Sequence, residues 1–338
     1  MQASELFNQP NTILLDGGMG TMLQAAGMKL GTRPEDLNIE NPELIRSIHA
    51  KYAAAGSRVV NANTFGASPH KLADSKYTLE EVITAGIANC KQAVAPYGAL
   101  VTLDVGPLGE LLEPSGTLAF EDAVAEYGRI VRAGVAAGAD ILYFETFTDL
   151  YEMKAALLAA KENSTLPIMA SMSFEANGRT FTGCTVESFA ATARGLGANA
   201  VGINCSLGPK EIFPMAKRLA EAVPGDFPVF VKPNAGMPRA DGSGYDITPQ
   251  LYAMQMKPYR ELGLFAAGGC CGTTPEFIQL LNGVFADCRP GRPEHPMLSV
   301  ICSPVDCVNV DGITVVGERI NPTGKKRFQQ ALRDGDMN

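Results

Sequence analysis

Apolar residues along this chain gather in short unbroken runs, and each run is followed by a longer stretch with apolar positions at helical spacing. Eight runs stand out: Ile13-Leu14-Leu15, Val59-Val60, Leu100-Val101-Thr102-Leu103, Ile141-Leu142-Tyr143-Phe144, residues 167–174, Ala200-Val201-Gly202-Ile203, Val229-Phe230-Val231 and Leu264-Phe265-Ala266-Ala267. Runs that do not alternate with polar residues suit parallel strands covered on both faces. Amphipathic stretches at 42–55, 79–95, 121–137, 150–161, 186–196, 209–222 and 249–262 lie between them. Gly56, Gly138, Gly197 and Gly263 stand just before the next run, where helix C-caps fall. Eight strand-then-helix units predict an α/β fold, a (β/α)8 TIM barrel over residues 1–286 with a short C-terminal extension. A doubly wound open sheet is the rival. Gly17-Gly18-Met19-Gly20 lacks the glycine spacing that such a sheet uses to open a dinucleotide site.

The polar residues follow the same rhythm. Asp16 closes the first run, Asn61, Asn63 and Thr64 the second, Asp104 the third, and Glu145 with Thr146 the fourth. Asn204 and Cys205 close the sixth, Asn234 the seventh, and Cys270 with Cys271 the eighth. Active sites of (β/α)8 barrels sit where the strands end. Any one of these residues could be a local cap, Thr64 among them, but capping does not explain all the ends together. After about Phe285 the rhythm stops. Residues 287–312 read as a proline-containing linker, and 313–338 as a strand-like run followed by the start of a helix, too short to complete a domain.

Composition narrows the function. The 338 residues are 46% hydrophobic and 19% charged, ample for one large core, and the net charge of -8 disfavours a nucleic-acid or anionic-membrane surface. No apolar run approaches the ~20 residues that span a bilayer. Met1-Gln2-Ala3-Ser4-Glu5 has no basic start or apolar core of a signal peptide, so a cytoplasmic location is expected. Eight cysteines in that compartment point to reduced thiols, hence to metal binding or catalysis before disulfides. Cys302 and Cys307, in the tail, read as structural residues rather than ligands or nucleophiles.

Gly268-Gly269-Cys270-Cys271-Gly272 is the most informative stretch. Neighbouring Cα atoms are ~3.8 Å apart, which suits an ordinary disulfide poorly. Flanking glycines let the backbone kink so that both thiols face one point. With Cys205 they offer three thiolates and one open position, the ligand pattern of a working zinc. The alternative is three small buried hydrophobes. Zinc on three thiolates is a weak electrophile, better suited to deprotonating a fourth, substrate thiol than to making hydroxide. That chemistry implies alkylation of a small thiol. Asp16 and Glu145 could hold an ammonium group across the barrel, and the amides of Gly17, Gly18, Met19 and Gly20 a carboxylate. An N-cap role for Asp16 stays open.

These motifs carry a resemblance. Asp16-Gly17-Gly18-Met19-Gly20-Thr21, Asn63-Thr64-Phe65, Phe144-Glu145-Thr146, residues 202–206, Lys232-Pro233-Asn234-Ala235-Gly236 and residues 268–275 resemble the homocysteine S-methyltransferases over roughly residues 10–286. Val316-Gly317-Glu318-Arg319-Ile320-Asn321-Pro322-Thr323-Gly324 looks like the opening of the pterin-binding barrel that follows the homocysteine barrel in cobalamin-dependent members. The resemblance implies that Cys205, Cys270 and Cys271 bind Zn2+ and that the zinc binds and activates homocysteine. It implies that Asp16, Glu145 and the Gly18-Met19 backbone hold the amino-acid end, with Thr64 a further substrate-side candidate. It implies that Asn234 fills the fourth metal position when substrate is absent. Methylcobalamin, on a cobalamin-binding module absent from this chain and recharged through a folate-binding module, would supply the methyl group. The alternatives are a stand-alone enzyme using S-methylmethionine or betaine, and a non-catalytic zinc-stabilised docking module.

Overall fold

The computed structural model describes residues 3–29, 31–239, 244–294, 299–310, 312–315, 317 and 321–336. Eight parallel strands, β1 (Ile13–Leu15), β2 (Ser57–Asn61), β3 (Leu100–Val105), β4 (Ile141–Phe147), β5 (Ile168–Met172), β6 (Ala200–Asn204), β7 (Val229–Lys232) and β8 (Ala266–Ala267), close into a barrel in sequence order. The last joins the first through Ile13 opposite Ala266. The (β/α)8 expectation holds.

Side chains alternate across each strand, and both faces are apolar at the N-terminal end. One set points outward to the helices: Leu14, Val60, Val101, Leu103, Leu142, Phe144, Val201 and Val231 belong to the large cluster that the helices cover. The other points inward. Ile13, Leu15, Val59, Leu100, Ile141, Tyr143, Met169, Ala200 and Phe230 fill the barrel's lower interior with Leu6, from the 3-10 turn Ala3–Asn8 that plugs this end. Double-sided burial is the reason the runs read as continuous. Gly202 is required here, because a Cβ at that position would lie 2.4 Å from the Phe230 ring beside it.

The main helices are Pro42–Ala54, Leu79–Val94, Phe120–Ala136, Leu150–Asn163, Val186–Gly195, Pro209–Glu221, Pro249–Met256 and Pro275–Phe285. Thr78 and Glu81 form a reciprocal capping box at the second. Gly138 and Gly197 end helices with φ of 86° and 90°, a region where a Cβ is penalised. Helical structure continues from Pro249–Met256 as the 3-10 turn Lys257–Leu262, with Pro258 in its first turn, so the single helix expected at 249–262 is two pieces.

The tail departs from expectation. The segment expected as a linker contains an antiparallel hairpin, β9 (Val300–Cys302) and β10 (Cys307–Asn309). Ile313, Thr314 and Val315 form no strand, and Ile313 is fully exposed. Of the motif at 316–324, Val316, Glu318, Arg319 and Ile320 lie outside the described residues. A final helix spans Lys326–Asp334. Among the described residues no helix is long and apolar enough to cross a membrane.

Candidate metal centre

The inward column of each strand changes character toward its C-terminal end. Leu100 is followed at alternate positions by Thr102 and Asp104, Ile141 by Tyr143 and Glu145, Ala200 by Gly202 and Asn204, and Phe230 by Lys232. Just past these ends lie the three cysteines.

Cys205 follows β6 directly, and Cys270 and Cys271 follow β8 after Gly268 and Gly269. Their sulfurs lie within 4.8 Å of one another, and among the described residues they are the one such cluster of metal-ligand types. Cys205 and Cys271 Sγ are 3.8 Å apart. The backbone is bent to achieve this. The non-glycine residues with positive φ among the described ones are Thr146, Cys205 and Ser206, at 65°, 64° and 59°, all at this mouth. Left-handed backbone costs roughly 1–2 kcal/mol per residue and persists where surrounding structure enforces it. Cys205 N donates to Lys232 O and Cys270 N to Pro233 O. Cys271 N donates to Asn234 Oδ1 at 3.1 Å, and Asn204 Nδ2 reaches Cys270 Sγ at 3.9 Å. The vicinal pair is held from beneath by tyrosines. Tyr252 Oη donates to Pro233 O and Gly268 O, and Tyr52 Oη to Gly18 O and Thr273 O.

The three thiols do not ionise independently. The Cys205 and Cys270 thiols donate to Cys271 and hold it down to about 3. Hydrogen bonding to Cys205 and then to Cys271 pushes Cys270 well above the ordinary thiol value. Cys205, pulled down by Cys270, is pushed up to about 11 by Cys271 and by burial. The three sulfurs thus share protons, with Cys271 the most readily ionised of the set. Sulfurs at this spacing are of a type and arrangement that could hold a metal ion. Burial and then the neighbouring Cys271 raise the Tyr245 phenol to about 12.

Beside the sulfurs lies a buried charge cluster. Lys232, 2% exposed, places Nζ 3.0 Å from Asp16 Oδ1 and 3.5 Å from Glu145 Oε2. Burial disfavours its charge, but Asp16 first and then Glu145 outweigh that and raise its pKa. Asp16 Oδ2 accepts from Asn61 N at 2.8 Å. Asp104 Oδ1 and Glu145 Oε2 are buried without a hydrogen-bond donor. Burial, followed by Glu145, drives the Asp104 carboxyl well above its usual range.

Several sequence expectations change in detail. The space between Asp16 and Glu145, expected to receive a substrate ammonium, holds Lys232. Barrel closure brings β1, β4 and β7 together and so puts a lysine among the acids. Asp16 is no N-cap: the helix Met19–Ala25 starts from Gly18 with no side-chain cap. The Gly18 amide, expected to be free for a carboxylate, donates to Thr273 Oγ1 at 3.2 Å. Thr64 Oγ1 both donates to Asp104 O and accepts from Asp104 N, so its hydroxyl ties the segment after β2 to β3. Asn234 stands beside the cysteines with its Oδ1 on the Cys271 amide. Lys232 was missed: its one local signal was a lysine closing an apolar strand, and its acidic partners lie at the ends of other strands. Tyr52, Tyr245 and Tyr252 left no local signal, because their partners are distant in sequence.

A strained trithiol cluster thus lies beside a buried ammonium–carboxylate cluster at the C-terminal mouth of the (β/α)8 barrel, the end at which this fold builds its active sites. A sequence model for homocysteine S-methyltransferase matches residues 13–285, and the chain belongs to that family. It is 30% identical over 343 residues to a methionine synthase of Mycobacterium tuberculosis, a match covering 94% of this chain and 28% of that protein. The chain thus spans little more than a quarter of that relative's length. It also resembles the homocysteine methyltransferase MmuM of Escherichia coli. The oxidised form gives a TM-score of 0.72 at 25% identity, covering 83% of this chain and 98% of that one. The metallated form gives 0.69 at 26% identity, covering 82% and 98%.

Proposed function

We propose that this chain is the homocysteine-binding and homocysteine-activating module of a cobalamin-dependent methionine synthase, with Cys205, Cys270 and Cys271 holding zinc. The observation that carries this reading is the meeting of three sulfurs within 4.8 Å beside buried carboxylate oxygens that lack donors. Three cysteines with one readily ionised thiol are a donor set that suits zinc. The bound metal would supply the positive charge that turns a substrate thiol, ordinarily of pKa near 8.5, into a thiolate at neutral pH.

The chain's own residues do the rest. Asn234 and Lys232 fix Cys271 and Cys205 through the backbone. Lys232 hydrogen-bonds Asp16 and lies 3.5 Å from Glu145 Oε2, so a substrate ammonium would be received by Asp104 Oδ1 and by Glu145 Oε2 shared with the lysine, and Asp16 acts through the lysine. The amides of Met19 and Gly20, which open the helix after β1, receive the carboxylate. The homocysteine thiolate held here would be the nucleophile toward a methyl carbon, and the donor would keep the electron pair of the bond it gives up. We assign the donor as methylcobalamin, on a separate cobalamin-binding module recharged through a folate-binding module. The methionine synthase match favours this over a small donor, because it covers 94% of the chain and so runs beyond the barrel. On the same reading, residues 1–286 are the homocysteine barrel, 287–312 a connection, and 313–338 the opening of the pterin-binding domain; the setting is cytoplasmic.

Titration calorimetry on the zinc-loaded, reduced chain tests this. Homocysteine should bind, and 4-mercaptobutanoate, which lacks the ammonium group, should bind much more weakly. An absence of heat with homocysteine would overturn the reading in favour of a docking module. Turnover of homocysteine with S-methylmethionine or betaine alone would move the chain to the stand-alone enzymes.

A further inference from the structure

Two of the eight cysteines stand outside the metal cluster and face each other in the tail. Cys302 ends β9 and Cys307 begins β10, directly opposite in the hairpin register. Ser303 N donates to Asp306 O and Val310 N to Ser299 O. In an antiparallel ladder, hydrogen-bonded and non-hydrogen-bonded pairs alternate, so these two bonds put Cys302 and Cys307 at a non-hydrogen-bonded position. Side chains come closest there, with Cα atoms ~4.5 Å apart, which is within the range that a disulfide spans. Their Sγ atoms lie 2.9 Å apart.

The turn between them is built and docked. Asp306 N donates to Ser303 Oγ, and Cys307 N to Asp306 Oδ1. Thr185 N donates to Pro304 O at 3.2 Å, and Arg179 Nη1 donates to Val305 O at 3.1 Å. Arg179 and Thr185 belong to the segment that leaves β5 at the same end of the barrel as the metal cysteines.

We propose that Cys302 and Cys307 are a second thiol site, a dithiol that reacts with small-molecule disulfides to form an intrachain disulfide and thereby fastens the tail hairpin to the barrel. In the first step a thiolate of the pair attacks one sulfur of the small disulfide. A mixed disulfide forms, and a small thiolate leaves with the bonding pair and takes up the proton the cysteine released. The second cysteine, deprotonated in turn, attacks the protein sulfur of that bond and expels the second small thiol. The pair loses two electrons, and the small disulfide becomes two thiols. Burial, then the neighbouring Cys307, pushes the Cys302 thiol up to about 12, which makes Cys302 a slow leaving group when the closed bond is attacked.

The test uses the full chain, loaded with zinc so that the other thiol site is occupied, and incubated with oxidised glutathione. It is then alkylated under denaturing conditions and cleaved before Asp306, which puts Cys302 and Cys307 on different fragments. The two fragments should be recovered as one species that reductant separates. The Thr185 amide should exchange several-fold more slowly after oxidation. Cys302→Ser should abolish both effects and leave glutathione on Cys307, with zinc content unchanged. Full alkylation of both cysteines, or recovery of Cys302 joined to Cys184, would overturn the pairing. Unchanged exchange at Thr185 would overturn the fastening.

Discussion

The two ends of the barrel interior are built on the same strands and differ in almost every physical respect. At the N-terminal end, Ile13, Tyr143, Phe230 and Phe265 pack with Leu6 into a dry filling, with the Tyr143 and Phe230 rings edge to face at 5.5 Å. Two positions further along β4 and β7 the inward residues are Glu145 and Lys232, and β3 adds Asp104. One end gains stability by removing apolar surface from water. The other keeps charges in low dielectric, where they are stable only as a set. The contrast separates what makes the barrel from what makes the site, within one or two turns of the pleat.

Lys232→Met should show the contrast at its strongest. It leaves Asp16 and Glu145 buried without their cation, and removing one member of a buried ion pair costs about 3–5 kcal/mol. Chemical denaturation would measure it, and a loss below ~1 kcal/mol would mean that the lysine is not held as described. Cys270→Ser comes next. Changing an outer partner of a metal ligand costs roughly 10–100-fold in affinity, so loss of a ligand should exceed about 100-fold in competition with a chelator. At the dry end, Gly202→Ala forces a methyl against the Phe230 ring and should cost about 1–3 kcal/mol with zinc binding retained.

A pH series sharpens the comparison further. Asp104 has a folded-state pKa above its unfolded value, so the folded state binds the proton more tightly. Its contribution to stability is therefore present below the ordinary carboxylate range and is lost as pH rises through the raised folded value. Asp104→Asn should raise stability above that window and converge with the parent below it; equal curves at all pH values would show that Asp104 is not desolvated. The smallest effect belongs to the surface. Arg129 and Glu80 pair at 2.7 Å with side chains 47% and 49% exposed, and Arg129→Ala should cost less than about 1 kcal/mol.

The barrel was legible because the strands are apolar on both faces toward their N-terminal ends, and because glycines such as Gly138 and Gly197 mark helix ends. The cysteines were legible because an adjacent pair among glycines has little other use. What escaped was whatever depends on closure. That Lys232 meets Asp16 and Glu145 follows from β7, β1 and β4 sharing one interior, which no local window reveals. The engagement of Gly18 with Thr273 and of Thr64 with Asp104 are likewise contacts between separate units. The hairpin was readable in principle, as the short apolar stretches Val300-Ile301-Cys302 and Cys307-Val308 flanking Ser303-Pro304-Val305-Asp306. The prolines around it gave the segment the look of a linker.

The most direct test of the three-sulfur centre is a zinc K-edge absorption spectrum of the reduced chain, recorded before and after adding homocysteine. Stoichiometric zinc with three sulfur neighbours, rising to four with the amino acid, is the expected result. A chain that binds no zinc, or a sulfur shell that homocysteine leaves unchanged, would contradict it.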